Sequence, residues 1–278
     1  MWKKINLLKT MKSLLLKEKI NTSQSLSVID IFEKAARKAG QSLINDFGKI
    51  ENSHVRSKDV GDFVTTSDIK TEKILLKILQ NSYPNATYIT EESDEIRGDK
   101  EIIVIDPIDG TTNFIHGIPF VGIVIGRVFE GEITDGIIFN PILNELYWAT
   151  KGGGAWCNNK RLHVSNRDKM SNCIIGTSVP HANRGYKNYL DEIDNIAKNC
   201  AGLRSTGSAA IDLSLVASGK IDAFWQRNLK LWDICSGILI VNEAGGKVTQ
   251  PNGKDWTVDS SDILASNLFV HQQIVEKL

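Results

Sequence analysis

Long apolar runs are missing from this sequence of 278 residues, and none approaches the ~20 residues that a membrane-spanning helix needs. The four cysteines lie far apart and form no Cys-x-x-Cys pair, which argues against a disulfide framework and a cysteine-based zinc site. This pattern is typical of a reducing compartment, so we predict a cytoplasmic protein without a membrane span. Proline- or serine-rich linkers and internal repeats are absent too, which favours one compact unit.

An excess of one charge is also missing, because 33 lysines and arginines balance 33 aspartates and glutamates. The net charge therefore gives no support for a broad surface that binds nucleic-acid phosphates. Hydrophobic residues are 41% of the chain and charged residues 24%, which is ordinary for a folded protein and excludes disorder as the dominant state. We therefore expect a globular protein.

The first 25 residues differ in composition from the rest. They contain six lysines, one glutamate, no arginine and the short cluster Leu14–Leu16. That apolar stretch is too short for a secretory signal, and a basic amphipathic helix at a membrane surface is an alternative. We interpret residues 1–25 as a loosely ordered N-terminal extension, with Met11 as an alternative start, and residues 26–278 as the main domain.

Apolar residues at helical spacing predict a first helix over residues 26–47, with Gly48 as its C-cap. The same spacing predicts a second helix over residues 68–80, with Ser67 as its N-cap. Further helices are expected over residues 186–199, 208–217 and 234–243.

Strand patterns occupy the stretches between these helices. The continuously apolar run Ile102–Ile105 is typical of a buried central strand, and Glu130-Gly131 between two apolar runs predicts an antiparallel hairpin. Strands are expected over residues 87–90, 101–105, 121–129, 132–139, 145–149, 173–177, 202–205 and 221–225. Antiparallel pairs with interleaved helices predict an α/β (α+β) layered sandwich with mixed and antiparallel sheets.

Acidic and small residues follow the buried strand, over Asp106–Phe114. The ends of strands are where α/β folds place their ligands. Pro107 restricts the backbone, so that Asp106 and Asp109 can converge on one small space. Carboxylate oxygens, with the Ile108 carbonyl between them, suit the hard cation Mg²⁺. The pattern therefore predicts a magnesium site.

A phosphate site is predicted beside this metal site. Gly110 and Thr111 begin a predicted helix, whose N–H groups and positive end favour a phosphate. The alternative interpretation is that Asp106 and Asp109 are ordinary turn or capping aspartates. That alternative does not account for the whole pattern placed directly after a buried strand.

Five segments of the sequence resemble a known family. Residues 106–114 resemble the signature of the inositol monophosphatase family, the magnesium-dependent, lithium-sensitive phosphatases that include bacterial extragenic-suppressor proteins. The other matching segments are residues 63–68, similar to the segment that orients the attacking water; residues 89–93, similar to a Glu-Glu motif; residues 207–210, similar to a substrate-contact loop; and residues 231–246, similar to a Trp-Asp helix motif. The resemblance covers the chain from about Leu26 to its C-terminus.

This resemblance implies an αβαβα sandwich of the sugar-phosphatase type, with residues 26–278 as the catalytic domain and a homodimer as the assembly. It implies hydrolysis of inositol 1-phosphate to myo-inositol and phosphate by direct attack of water. Two or three Mg²⁺ ions would be held by Glu91, Asp106, the carbonyl of Ile108, Asp109 and Asp233. The implied catalytic residues are Asp68, Thr111 and Glu91. The implied substrate-binding residues are Ile108, Asp109, Gly110, Thr111, Arg204, Gly207, Ser208, Ala209, Gln226 and Asp233.

One position departs from the family pattern. A glutamate usually stands seven residues before the Trp-Asp aspartate, where it accepts hydrogen bonds from inositol hydroxyls, and this chain has Gln226 there. Glutamine keeps an acceptor but loses the charge-assisted bond, which puts the preference for inositol in doubt. The alternative interpretation is a neutral change at a permissive site. Arg204 is a candidate for contact with substrate or a subunit interface, and the alternative is an ordinary surface arginine. Glu92 is either a solvated carboxylate or a support for Glu91.

Other functions are open at this level. A haloacid-dehalogenase-type phosphatase also has aspartates after a buried strand, but with the spacing Asp-x-Asp, whereas two residues separate Asp106 from Asp109. A fructose-bisphosphatase or a 3′-nucleotide phosphatase of the same superfamily is an alternative. Extragenic-suppressor members of the family also bind the transcription and ribosomal-RNA maturation machinery, so a non-catalytic role as a transcription-antitermination partner is a further alternative.

Overall fold

The structure, a computed structural model, describes residues 27–49, 55–59, 62–178 and 189–278. The predicted N-terminal extension, residues 1–25, lies outside the described residues. In the described part, helices and sheets alternate in five layers, which confirms the predicted layered α/β sandwich.

Helix α1 (Val28–Asp46) begins with a reciprocal cap. The Ser27 hydroxyl accepts from the N–H of Asp30 at 3.1 Å, and the Asp30 carboxylate accepts from the N–H of Ser27 at 3.0 Å. The C-cap is Phe47 and not the predicted Gly48. Gly48 is the next residue, where the chain turns away with φ 65°, a conformation that glycine adopts without strain.

Helix α2 (Thr66–Ser82) is longer than the predicted helix and begins at a different cap. Thr65 has an extended backbone, and its hydroxyl accepts from the N–H of Ser67 at 3.1 Å and from that of Asp68 at 3.4 Å. Ser67, the predicted N-cap, lies in the first turn, so that prediction is wrong. Three hydroxyl residues are consecutive here, and only Thr65 has the non-helical backbone of an N-cap.

A seven-stranded sheet forms the first half of the core. Its strands are β3 (Thr87–Thr90), β4 (Ile102–Asp109), β5 (Gly122–Phe129), β6 (Glu132–Asn140), β7 (Glu145–Thr150), β8 (Gly154–Cys157) and β9 (Lys160–Arg161), which neighbour each other in chain order. Only β3 and β4 are parallel among the pairs of this sheet. The predicted hairpin at Glu130-Gly131 is confirmed, with positive φ at both residues. A separate antiparallel pair, β1 (Val55–Asp59) and β2 (Asp62–Thr65), leads into α2.

A five-stranded sheet forms the second half. Its order is β11 (Gly202–Arg204), β10 (Ile174–Thr177), β12 (Ala223–Gln226), β14 (Ile263–Ser266) and β13 (Lys247–Thr249). The remaining helices are α3 (Thr111–His116), α4 (Tyr189–Ala197), α5 (Ala209–Ala217), α6 (Leu231–Glu243) and α7 (His271–Val275). None of the helices in the described residues is long and apolar enough to cross a membrane.

The helices form layers between and outside the two sheets. α1 and α2 pack on one face of the seven-stranded sheet, and α5 and α6 pack between the two sheets. α4 and α7 cover the outer face of the five-stranded sheet, where Tyr189 and Ile274 join its core. Glycine permits a close approach here, because a Cβ at Gly136 of β6 would lie only 2.9 Å from the Cα of Ser236 in α6.

Candidate active site

The site begins at the carboxyl end of β4. This strand is four residues longer than predicted at its end, so Asp106 and Asp109 belong to it instead of following it. Its register with β5 shifts between these two residues, which is a bulge, and bulges re-aim side chains next to functional sites. The Asp106 side chain is 1% exposed, and its Oδ1 accepts from the N–H of Ile108 at 2.9 Å.

Four acidic residues from three parts of the chain meet at Asp106. Burial and the charges of Glu91, Asp109 and Asp233, in that order, raise the pKa of Asp106 well above its usual value. A hydrogen bond with Glu91 adds to this shift. Carboxylates that are placed so close repel one another, so a bound cation or bound protons must offset their charge.

Asp109 connects the two halves of the molecule. Its Oδ2 accepts from the Ser208 hydroxyl at 2.5 Å and from the N–H of Ala210 at 2.7 Å. Burial raises the pKa of Asp109 to about 6, although the hydrogen bond from Ser208 acts in the opposite direction. The Ser208 hydroxyl also accepts from the N–H of Ile211 at 3.2 Å as the N-cap of α5. One side chain therefore caps a helix and holds a carboxylate.

Asp233 lies in the first turn of α6, which begins three residues before the predicted start. Its Oδ2 accepts from the N–H of Lys230 at 2.7 Å. This bond satisfies a backbone donor at the start of the helix.

The donor set fits a hard divalent cation. Its members are carboxylates and the Ile108 carbonyl, and oxygen ligands of this kind suit Mg²⁺. Within residues 27–49, 55–59, 62–178 and 189–278, no three His, Cys, Asp or Glu side chains are already arranged as a cage for one ion. Asp109 and Asp233 each direct one oxygen to a protein donor.

Asp68 and Thr111 form a second part of the site. The Thr111 hydroxyl lies 3.0 Å from Asp68 Oδ1 and 3.0 Å from the carbonyl oxygen of Ile108. Asp68 Oδ2 accepts from the backbone N–H of Thr65 at 2.8 Å and from its hydroxyl at 2.5 Å. Burial raises the pKa of Asp68, and the bonds from Thr65 and Thr111 partly oppose this.

The loop before α5 packs against Gly110. Gly110 has φ 90°, and a Cβ there would lie 2.8 Å from the carbonyl oxygen of Phe120 and 3.3 Å from the Cβ of Ser208. Asn113 connects the loop before α5 to the segment before β5. Its Nδ2 donates to the carbonyl of Phe120 at 2.8 Å and to that of Thr206 at 2.7 Å. Thus Gly110, Thr111, Gly207, Ser208 and Ala209 share one region of the structure.

Known proteins are similar to this chain in both sequence and fold. The inositol monophosphatase family model matches residues 25–278. The chain belongs to the inositol monophosphatase family. It is 38% identical to "Inositol-1-monophosphatase" of Mesorhizobium japonicum over 253 aligned residues. These residues make up 90% of this chain and 95% of that protein. It is 39% identical to "Putative Nus factor SuhB" of Neisseria meningitidis serogroup B, over 87% of this chain and 94% of that protein.

A solved structure supports the same assignment. The extragenic suppressor protein suhB from Bartonella henselae superposes with a TM-score of 0.87 at 40% identity, over 90% of this chain and 97% of that chain. Membership of this family makes the chain a phosphatase. The inositol monophosphatase family is generally metal-dependent, in line with the acidic residues around Asp106.

Two of the predicted substrate residues form no hydrogen bond or ion pair with these acidic residues in the described part of the chain. Arg204 is exposed, and its Nη1 donates to the carbonyl of Leu203 at 2.8 Å. No hydrogen bond or ion pair among the described residues joins Arg204 to the acidic residues. Gln226 is half-buried at the end of β12, and its Oε1 is buried without a hydrogen-bond partner in the described part of the chain.

Two buried acids near the site were not predicted from the sequence. Glu72 is 2% exposed and bonds to the turn that follows β3. Its position four residues after Asp68, on one face of α2, was the available signal. Asp212 in α5 is fully buried; burial raises its pKa to about 8, and the charge of Asp109 adds to the shift.

Proposed function

We propose that this chain is a Mg²⁺-dependent, lithium-sensitive inositol-1-monophosphatase, which converts inositol 1-phosphate and water into myo-inositol and phosphate. The observation that carries the proposal is the meeting of Glu91, Asp109 and Asp233 around the buried Asp106. Family membership and relatives named inositol-1-monophosphatase support the choice of substrate class.

In this proposal, two or three Mg²⁺ ions would be held by Glu91, Asp106, the Ile108 carbonyl, Asp109 and Asp233. Bound Mg²⁺ supplies positive charge that lowers the pKa of water and stabilises the phosphoryl and leaving-group oxygens. The protein contributes a preorganised set of carboxylates, since Asp109 is fixed by Ser208 and Asp233 by the backbone of Lys230.

Asp68 and Thr111 would position the attacking water. The Asp68 carboxylate fixes the Thr111 side chain, and Thr65 in turn fixes Asp68. A water beside this pair can donate a hydrogen bond to an acidic oxygen while its lone pair faces phosphorus. A bond from the water oxygen to phosphorus then forms as the phosphorus–oxygen ester bond breaks. The proton that the water gives up is balanced by the proton that the leaving alcohol oxygen takes up, and no phosphoenzyme is required.

The phosphate and the alcohol would lie on opposite sides of Gly110. The N–H groups of Gly110 and Thr111 would hold phosphate oxygens, as backbone donors at such turns can. Gly207, Ser208 and Ala209, which pack beside Gly110, would contact the alcohol. Gln226 and Arg204 would lie farther out on this side.

The activity test is phosphate release from inositol 1-phosphate at increasing Mg²⁺ concentration, with and without lithium. Fructose 1,6-bisphosphate and a 3′-nucleotide serve as competing substrates. We expect the highest kcat/KM for inositol 1-phosphate, no activity without a divalent cation, and inhibition by lithium. A clear preference for either competing ester would assign the chain to that other activity.

The acidic residues are tested by single amide substitutions. Asp106→Asn and Asp109→Asn are expected to nearly abolish turnover, because each removes a charged oxygen ligand and preserves the side-chain volume. The fold should survive, since Asp106→Asn also removes a buried charge from among like charges. Circular dichroism and thermal melting serve as controls. Wild-type turnover in either variant would contradict the metal assignment.

Relatives named Nus factor SuhB support a second candidate function. We propose that the chain also binds the transcription machinery, as a cytoplasmic homodimer. Pull-down of RNA polymerase and antitermination factors by wild type and by Asp106→Asn tests this role, because binding should not require turnover. Equal capture by the two proteins is expected, and no capture by either would remove the second function. Sedimentation of the purified chain tests the dimer.

A further inference from the structure

Glu72 lies on α2 beneath the turn that carries Glu91. It is 2% exposed, and its two carboxylate oxygens accept from different donors of that turn. The N–H of Glu92 donates to Oε2 at 3.0 Å, and the Ser93 hydroxyl donates to Oε1. A buried carboxylate needs such partners, and its two bonds are charge-assisted.

The turn is also closed by its own hydrogen bonds. The N–H of Ser93 donates to the Thr90 hydroxyl at 3.3 Å, and this hydroxyl donates to the Ser93 carbonyl at 3.2 Å. Glu91 stands between Thr90, the last residue of β3, and the two residues that Glu72 holds. The backbone on both sides of Glu91 is therefore fixed, on one side by the sheet and on the other by α2.

The same helix fixes the second part of the site. Asp68 and Glu72 are four residues apart, so they lie on one face of α2, one turn apart. Asp68 contacts Thr111, while Glu72 contacts the residues that follow Glu91. One rigid helix thereby sets the separation between the predicted water-positioning pair and the predicted metal ligand.

We propose that Glu72 is a positioning residue, which holds Glu91 in the place where it binds Mg²⁺. The inference rests on the proposed function, in which Glu91 is a metal ligand. Glu72 acts through geometry, because its bonds fix the turn, and its negative charge is a separate contribution that a glutamine substitution removes. Partners that orient metal ligands typically contribute ~10–100-fold to metal affinity.

Three variants separate geometry from charge. Glu72→Gln removes the charge but keeps the shape: its amide oxygen can accept from the N–H of Glu92, and its amide nitrogen can donate to the Ser93 oxygen. Glu72→Ala removes both bonds, and Ser93→Ala removes one. We expect the Kd for Mg²⁺ to rise ~10–100-fold in Glu72→Ala and by a smaller factor in Glu72→Gln and Ser93→Ala.

Glu243 offers a matched control. Its carboxylate also organises a turn through two bonds, from the N–H groups of Gly152 at 2.7 Å and Gly154 at 2.8 Å. It lies at the far end of α6 from Asp233, roughly 15 Å away at the helical rise per residue. Glu243→Ala is expected to lower the melting temperature and leave the Kd for Mg²⁺ unchanged.

The experiment measures Mg²⁺ binding by isothermal titration with MgCl₂ alone, alongside melting temperatures in EDTA. Phosphate release from inositol 1-phosphate gives a second readout. We expect Glu72→Ala to need more Mg²⁺ for half-maximal activity, with an unchanged KM for the ester once Mg²⁺ saturates. Glu91→Gln serves as the reference for loss of the ligand itself.

Each outcome decides between the proposals. Wild-type Mg²⁺ affinity in Glu72→Gln, Glu72→Ala and Ser93→Ala, with weakened binding in Glu91→Gln, would overturn the role of Glu72 alone. Unchanged binding in Glu91→Gln would instead overturn the metal assignment of the proposed function. If Glu72→Ala fails to fold, Glu72→Gln and Ser93→Ala decide, because wild-type Mg²⁺ affinity in both would reject the positioning role.

Discussion

The Thr111 hydroxyl and the Asp68 carboxylate meet at 3.0 Å, although 43 positions separate these residues in the chain. The contact joins the start of α3, which follows the acidic strand, to the start of α2. Thr65 supports it from behind with two bonds to Asp68. Two helix starts thus converge on the point where the proposed mechanism places the attacking water.

Removal of the Thr111 hydroxyl should affect kcat more than KM. We expect Thr111→Ala to lower kcat by at least ~10²-fold, because the water loses one of its two positioning groups. Thr111→Ser keeps the hydroxyl and should retain most of the activity. Steady-state kinetics at saturating Mg²⁺ provide the measurement. Equal rates in the alanine and serine variants would show that the hydroxyl is not used.

An alanine substitution should lower the free energy of unfolding more at Gly110 than at Gly152, which also has a positive φ. In Gly110→Ala the methyl group would meet the Phe120 carbonyl at 2.8 Å, in addition to the left-handed backbone. Gly152 has φ 77° with nothing within 4 Å of its Cβ position, so Gly152→Ala should cost only the roughly 1–2 kcal/mol of the conformation itself. Urea unfolding should show a larger loss of stability for Gly110→Ala, together with lost activity.

Asp212 should make the free energy of unfolding depend on pH. Its pKa of about 8 in the folded state lies above the ordinary value, so the folded chain keeps a proton that the unfolded chain releases. The stability that this proton contributes is complete at acidic pH and is lost as pH rises from about 4 through about 8. Asp212→Asn should therefore lose less stability over this range.

The measurement for Asp212 is urea unfolding at several pH values, in EDTA. Between acidic pH and about pH 8, the free energy of unfolding should fall further in the wild type than in Asp212→Asn. Parallel stability profiles for the two proteins would show that this carboxyl is ionised in the folded state at neutral pH.

Gln226 should control the choice of alcohol. Its buried Oε1 has no hydrogen-bond partner within the described residues, so it can accept from a substrate hydroxyl. Gln226→Glu makes that bond charge-assisted, and we expect KM for inositol 1-phosphate to fall by about 5-fold. Comparison with a simple alkyl phosphate, which has no such hydroxyls, is the control. An equal change for both esters would exclude a contact with the alcohol.

The local patterns in the sequence predicted much of the fold. The apolar run Ile102–Ile105 predicted the buried strand, and Glu130-Gly131 predicted the hairpin, because both depend on neighbouring residues alone. The prediction of Ser67 as the N-cap of α2 was wrong. Thr65 and Ser67 are both good capping residues, and the backbone conformation at the start of the helix selects Thr65. Such choices depend on tertiary structure.

The candidate site, too, could be predicted only in part from the sequence. The acidic character of Asp106 and Asp109 is visible in the sequence, but the bond of Asp109 to Ser208 spans 99 positions and needs the fold. Glu72 was missed because a glutamate in an amphipathic helix is usually a solvated residue. Its place four residues after Asp68 puts it on the same face of α2, but its burial follows from the packing of the β3 turn onto that face, which needs the fold.

Asn113 joins the two halves of the molecule through main-chain carbonyls at Phe120 and Thr206. Every residue type presents a carbonyl, so this junction does not depend on which side chains occupy those two positions. A chimera that combines the N-terminal half of this chain with the C-terminal half of a relative would therefore keep this junction whichever side chains stand at positions 120 and 206. The bond between Asp109 and Ser208 differs, because it needs a serine hydroxyl supplied by the other half of the chain.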